Sequence, residues 1–163
     1  MAIYYGDGSN SGAGRIVQME TAELRTSIQS TAVDVDVLAK AITPKSTSNY
    51  IIILGMTGCM SNVQHCGLFL YRDSSKLTVS SDGNSGNFVA PGSFDNNNYG
   101  SNGNASYGEV SLMHIDHPNT TNQVTYKIVF HQLGGGGYNL YVNRSPSLYM
   151  ASLTRLILME IAV

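Results

Sequence analysis

The sequence predicts an all-β protein, a two-sheet β-sandwich of about eight strands and most simply a jelly roll. Three observations predict it. Seventeen glycines and long Asn/Ser/Gly stretches punctuate runs rich in Val, Ile, Thr and Tyr, which suit pleated strands joined by turns. No segment carries a convincing helical period, although Met19 to Arg25 has room for one helical turn. No repeat of fixed period is visible either, which argues against a propeller or solenoid. At 163 residues the chain fits one domain with its own core.

Residues 1–14 read as an arm outside the core. A small apolar group, Ile3, Tyr4 and Tyr5, is followed by Gly6, Asp7 and a Gly/Ser/Asn tract that ends at Gly14. Residues 15–163 form the head. Arg15 to Glu23 and Val33 to Ile42 are half-buried strands, the second alternating Val33, Val35 and Val37 with Asp34 and Asp36 before Pro44 closes it. Asn49 to Met56 and His65 to Arg72 are apolar on both sides and read as central strands. Ser74 to Ser106 is turn-rich. Strands resume at Tyr107 to Ile115, Val124 to Leu133, Tyr138 to Asn143 and Thr154 to Val163, with turns at Asp116-His117-Pro118-Asn119 and Gly134 to Gly137.

The last strand points to assembly. Thr154, Leu156, Leu158, Glu160 and Ala162 alternate with Arg155, Ile157, Met159, Ile161 and Val163, so apolar groups occupy both faces. One face can fill the core, and the other needs a second cover, which a neighbouring copy would supply. Leu156, Ile157, Leu158, Met159 and Ile161 are therefore the expected oligomer contacts. The competing reading covers both faces within one copy.

Composition excludes several functions. Charged residues make up 12% of the chain and the formal net charge is -2, so capture of nucleic acid by clustered cations is not expected. No apolar run approaches the roughly 20 residues that span a bilayer, and the opening shows no secretion signal. Cys59 and Cys66, separated by six residues with His65 adjacent, lack the spacing of a structural zinc site. His114, Asp116 and His117 are a weak alternative for a divalent ion, so no metal or other cofactor is expected. There is no Gly-x-Ser-x-Gly elbow, phosphate loop, His-Glu-x-x-His or dinucleotide fingerprint, and no catalytic residue is assigned. Ligand contact is best placed on the Asn/Gly loop, where Asn98, Tyr99, Asn102 and Tyr107 combine amides with aromatic faces, a combination suited to neutral sugars. The plain alternative is that Asn and Gly gather there because turns need them.

Several stretches, in order, resemble small structural, tail-fibre-like virion proteins of tailed phages of marine bacteria and cyanobacteria. They are Ala2-Ile3-Tyr4-Tyr5-Gly6-Asp7-Gly8-Ser9, Gly14-Arg15-Ile16-Val17-Gln18, Ile42-Thr43-Pro44-Lys45-Ser46-Thr47-Ser48 and Leu70-Tyr71-Arg72-Asp73-Ser74. Asp116-His117-Pro118-Asn119-Thr120, Val124-Thr125-Tyr126-Lys127, Val142-Asn143-Arg144-Ser145 and Leu156-Ile157-Leu158-Met159-Glu160-Ile161 complete the set. The resemblance implies a homotrimeric jelly-roll head of the tumour-necrosis-factor-like kind, made in the host cytoplasm and displayed on the particle. Such a head serves as a short tail fibre, a capsid decoration or a head fibre, with residues 1–14 docking onto another virion protein. The alternative function is a receptor-binding module that recognises a host surface glycan through its loops.

Overall fold

The computed structural model describes residues 14–61, 65–77, 92–95, 108–132, 139–144 and 151–163. These form β1 (Ile16–Leu24), β2 (Ile28–Ser30), β3 (Asp34–Ile42), β4 (Tyr50–Ser61), β5 (His65–Arg72) and β6 (Ser75–Lys76), then β7 (Gly92–Asp95), β8 (Gly108–Asp116), β9 (Val124–Gln132), β10 (Leu140–Val142) and β11 (Thr154–Ile161). Two antiparallel sheets curl into a half-barrel of jelly-roll-like topology. The eight expected strands are present. Three short ones, β2, β6 and β7, join them, the last two within the stretch read as turns. Met19 to Arg25 forms no helical turn, because β1 pairs with β11 from Ile16 to Leu24. The Gly134–Gly137 turn lies outside the described residues.

Strand β4 is the spine of the first sheet. One of its edges carries β11 along Tyr50–Met56 and then β10 along Cys59–Ser61, while the other carries β8 along Ile51–Cys59. Beyond β11 lies β1, and beyond β10 lies β2. The second sheet runs β3, β9, β5, with β6 and β7 sharing the far edge of β5. Ile51 and Ile53 of β4, Leu156 and Leu158 of β11, and Ile128 and Phe130 of β9 meet between the sheets, all with no exposed surface. Burying each such side chain contributes about 1.5–3 kcal/mol.

Three polar devices hold this packing in place. Asn143, directly after β10, adopts the left-handed conformation (φ 59°) that Asn tolerates better than most residues. Its amide donates to the Leu24 and Thr26 carbonyls at 2.8 and 3.1 Å, and its oxygen accepts from Thr154 Oγ1 at 2.9 Å. Thr154 in turn shares a 2.7 Å bond with Thr57, so the group is buried but satisfied. At the other end of β11, Glu160 is fully buried, with no cationic partner among the described residues. It accepts from Gln18 Nε2 (2.5 Å), Lys45 N (2.7 Å) and Asn49 Nδ2 (2.7 Å), which ties β1 and the β3–β4 connection to β11.

The third device spans the sheets. Arg72 of β5 donates to both oxygens of Asp116 on β8, at 3.0 and 2.8 Å, and the Tyr126 hydroxyl of β9 donates to the same carboxylate at 2.7 Å.

Gly55 sets how closely the sheets approach. A Cβ there would lie 2.8 Å from Ile128 Cδ1 and 3.0 Å from Leu112 Cγ. Gly55→Ala is expected to lower stability by about 1–3 kcal/mol through overpacking, measured by denaturant unfolding. Adding Ile128→Val removes the nearest obstructing atom and should recover part of that loss, so that the two substitutions are non-additive.

Candidate functional site

The two outer faces differ in chemistry. Outside the second sheet, Lys127 reaches Asp36 at 2.9 Å, His131 donates from Nδ1 to Asp34 at 2.6 Å, and Lys127 also lies 5.6 Å from the centre of the Tyr71 ring. The Lys127–Asp36 pair suits a solvated surface, while Phe69 and Val129 on the same face are buried. Outside the first sheet, cross-strand register stacks apolar side chains in rows. One row reads Met19, Met159, Ile52, Ile115 across β1, β11, β4 and β8; the next reads Thr21, Ile157, Leu54, Met113. A third begins with Ile16, Ile161 and Tyr50, whose ring centre is 4.7 Å from that of His117.

Met19, Met113 and Ile115 are 59%, 68% and 58% exposed, values that polar residues would ordinarily hold on a solvated sheet. Four strands about 4.8 Å apart and some 20 Å of strand length give a footprint on the order of 300–400 Å². That is the usual size of the largest apolar patch on a single-chain protein, which is often a functional one. The far row is polar at its β1 end, where Arg155 donates to Glu23 at 3.0 and 2.5 Å and Arg25 reaches the same carboxylate at 2.8 Å. These guanidinium groups, Arg155 first, hold the exposed Glu23 carboxyl below its ordinary value. Just inside this rim a groove opens, walled by Leu54, Met56, Met113 and Ile157 and bounded by Ser111 and Arg155.

The expected interface residues divide between the two faces of β11. Leu156 and Leu158 have no exposed surface and belong to the core of a single copy, whereas Ile157, Met159 and Ile161 are half-buried and face outward. The structure adds residues that the sequence reading missed: Met19, Ile52, Leu54, Met113 and Ile115. Their signal was present in β8, where Val110 and Leu112 alternate with Met113 and Ile115 on opposite parity. The arm residues Ile3, Tyr4, Tyr5, Gly6 and Asp7 and the loop residues Asn98, Tyr99, Asn102 and Tyr107 lie outside the described residues.

The remaining sites have structural roles. His114 and Asp116 share the inner face of β8, but Asp116 is bound by Arg72 and Tyr126. His117 donates to the Thr47 carbonyl at 3.1 Å. Among the described residues no three His, Cys, Asp or Glu side chains are placed to hold a metal ion, and no helix is long and apolar enough to cross a membrane. Cys59 is buried in the core. The Asn143 amide, part of an Asn-Arg-Ser sequon, points into the protein.

Strand pairing and the core thus define an all-β protein with two antiparallel sheets in a jelly-roll-like arrangement. No protein-family model matches the chain, and no curated protein matches it. Among solved structures it overlaps loosely with that of the infectious bursal disease virus Gx strain and with the VP2 subviral particle of infectious bursal disease virus. Identity is 12% in each case, with TM-scores of 0.37 and 0.36 over 91% of this chain. The chain spans 39% and 38% of the lengths of those proteins.

Tyr126 offers a pH test of the cross-sheet clamp. Burial, and then the Asp116 carboxylate, push its phenol well above the ordinary value of 10.0. The folded protein therefore keeps a proton that the unfolded chain releases, so the associated stability is complete below about pH 10 and declines as pH rises further. Tyr126→Phe should cost about 1.5–3 kcal/mol at neutral pH. It should also give a shallower loss of stability between pH 10 and 12, read from urea midpoints.

Proposed function

We propose that this chain is a non-enzymatic structural subunit of a phage virion. In this reading it is a homotrimeric jelly-roll head on the particle surface, made in the host cytoplasm and serving as a short tail fibre, capsid decoration or head fibre. The observation that carries the reading is the contrast between the two sheets: one outer face bears Lys127 and His131 bonded to carboxylates beside a buried Phe69 and Val129, the other exposed rows of Ile, Leu and Met. A protein built to assemble has reason to keep such a face. The phage assignment draws on the ordered sequence resemblances, and the low share of charged residues agrees with a surface made largely of neutral polar groups.

The apolar rows lie on β1, β11, β4 and β8, so the C-terminal strand is central to the contact through Ile157, Met159 and Ile161. Leu156 and Leu158 support it from within.

Light scattering coupled to size exclusion tests the assembly. The expected mass is three times the 17.5 kDa chain. Ile157→Asp should place an unpaired carboxylate in the contact, weaken association by about 3–5 kcal/mol and yield single chains with an unchanged circular dichroism spectrum. A monomer in the unsubstituted protein, or an Ile157→Asp variant that stays trimeric, would overturn the reading.

A further inference from the structure

We infer that the outer face of the β4 sheet receives the N-terminal arm of a neighbouring copy, with the Ile3-Tyr4-Tyr5 cluster seated across the Met and Ile rows and in the groove beside Arg155. The inference deepens the assembly proposed above and rests on it. Four observations carry it.

The first is where the arm begins. Gly14 donates to the Ala162 carbonyl at 2.7 Å and Ala162 donates back to the Arg15 carbonyl at 2.9 Å, so Gly14 and Arg15 are fastened beside the end of β11. Gly14 has φ 74°, a left-handed conformation natural to glycine, and the thirteen residues before it start from this point. The arm therefore starts at the Ile16, Ile161 and Tyr50 end of the apolar face.

The second is direction. Strand β1 runs from that end toward the rim formed by Glu23 and Arg155, and the groove lies beside the rim. Gly14 thus lies at the end of its own sheet opposite its own groove. A neighbouring copy is the direct receiver. Contacts of this head-to-tail kind close into a ring when the rotation between copies permits, which suits a trimer.

The third is length. Nine residues, Gly6 to Gly14, separate Tyr5 from Arg15, the residue before β1. Extended, they reach at most about 30 Å, which exceeds the roughly 20 Å length of the face.

The fourth is chemistry. Met19, Met56, Met113 and Met159 give the face four thioethers, which adapt to and attract aromatic rings. The groove has apolar walls of Leu54, Met56, Met113 and Ile157, with Ser111 and Arg155 at its polar margin. A tyrosine matches that division, burying its ring and keeping its hydroxyl beside polar groups. The arm supplies two tyrosines and one isoleucine, joined to β1 by a tract lacking any other large apolar residue.

The test uses full-length protein. Tyr4→Cys and Met113→Cys variants are co-expressed, oxidised mildly and run without reductant. The expected result is a band at twice the 17.5 kDa chain mass that requires both variants. Met113 is 68% exposed, so its replacement leaves the core untouched. No such band, or closure only within one chain when both substitutions are placed together, overturns exchange between copies. Separately, Ile3→Ser/Tyr4→Ser/Tyr5→Ser alters no described residue and should reduce the light-scattering mass to that of a single chain. A variant that remains trimeric overturns the arm contact while leaving the assembly reading standing. A monomeric unsubstituted protein overturns the assembly reading and this inference with it.

Discussion

The structure depends on a strand that is apolar on both sides. In β4, Ile51 and Ile53 point into the sandwich while Ile52 and Leu54 point out of it. Hydrophobic burial is non-directional, so such a strand calls for cover on both faces. The second sheet covers the inner side through β9 and β5. Nothing equivalent lies over the outer side among the described residues, and the neighbouring strands continue the same chemistry, with Ile157 and Met159 on β11 and Met113 and Ile115 on β8. The two-sided character of one strand thus becomes a property of a whole sheet.

Register makes the rows possible. Side chains alternate along a strand, so a slip of one residue would exchange the inner and outer sets on β11 and place Ile157 and Met159 in the core. The buried polar groups oppose such a slip at both ends of that strand. Thr154 is held by Thr57 and Asn143 at one end, and Glu160 by Gln18, Asn49 and the Lys45 amide at the other. A displaced Glu160 would exchange three hydrogen bonds for none of the same kind, a large cost for a buried carboxylate. These polar residues do not contact the outer face, yet they determine which residues appear on it.

Much of this was legible in the sequence, and what was not has physical causes. Long strands announced themselves through period and β-branching: β3 by its Val/Asp alternation, β4 by its isoleucines and β11 by apolar groups on both parities. The short strands β2 and β6 offer three and two residues, too few for a period to emerge, and exist because β10 and β5 provide partners. Met19 to Arg25 remained ambiguous until the pairing with β11 decided it. The two faces of β11 were visible as two apolar sets, but which set lies inside depends on Leu156 and Leu158 meeting the second sheet. The partners of Glu160, 142, 115 and 111 residues away in sequence, were beyond local reading. Likewise, Met113 and Ile115 joined the candidate face only once β8 was placed beside β4.

The edge at β1 shows how a local irregularity serves the larger surface. Ile16 and Gln18 share parity and in a regular strand would lie on one side. A bulge between them breaks the alternation, so that Gln18 faces inward opposite Glu160 while Ile16 faces outward opposite Ile161. The extra residue reconciles two demands that a regular strand could not meet together. Glu160 obtains a donor from β1, and the apolar row through Ile161 and Tyr50 gains its outermost member. It does so next to the backbone bonds that hold Gly14 and Arg15 to Ala162. The polar anchor of the core and the end of the exposed face are therefore built from the same five residues, Gly14 to Gln18.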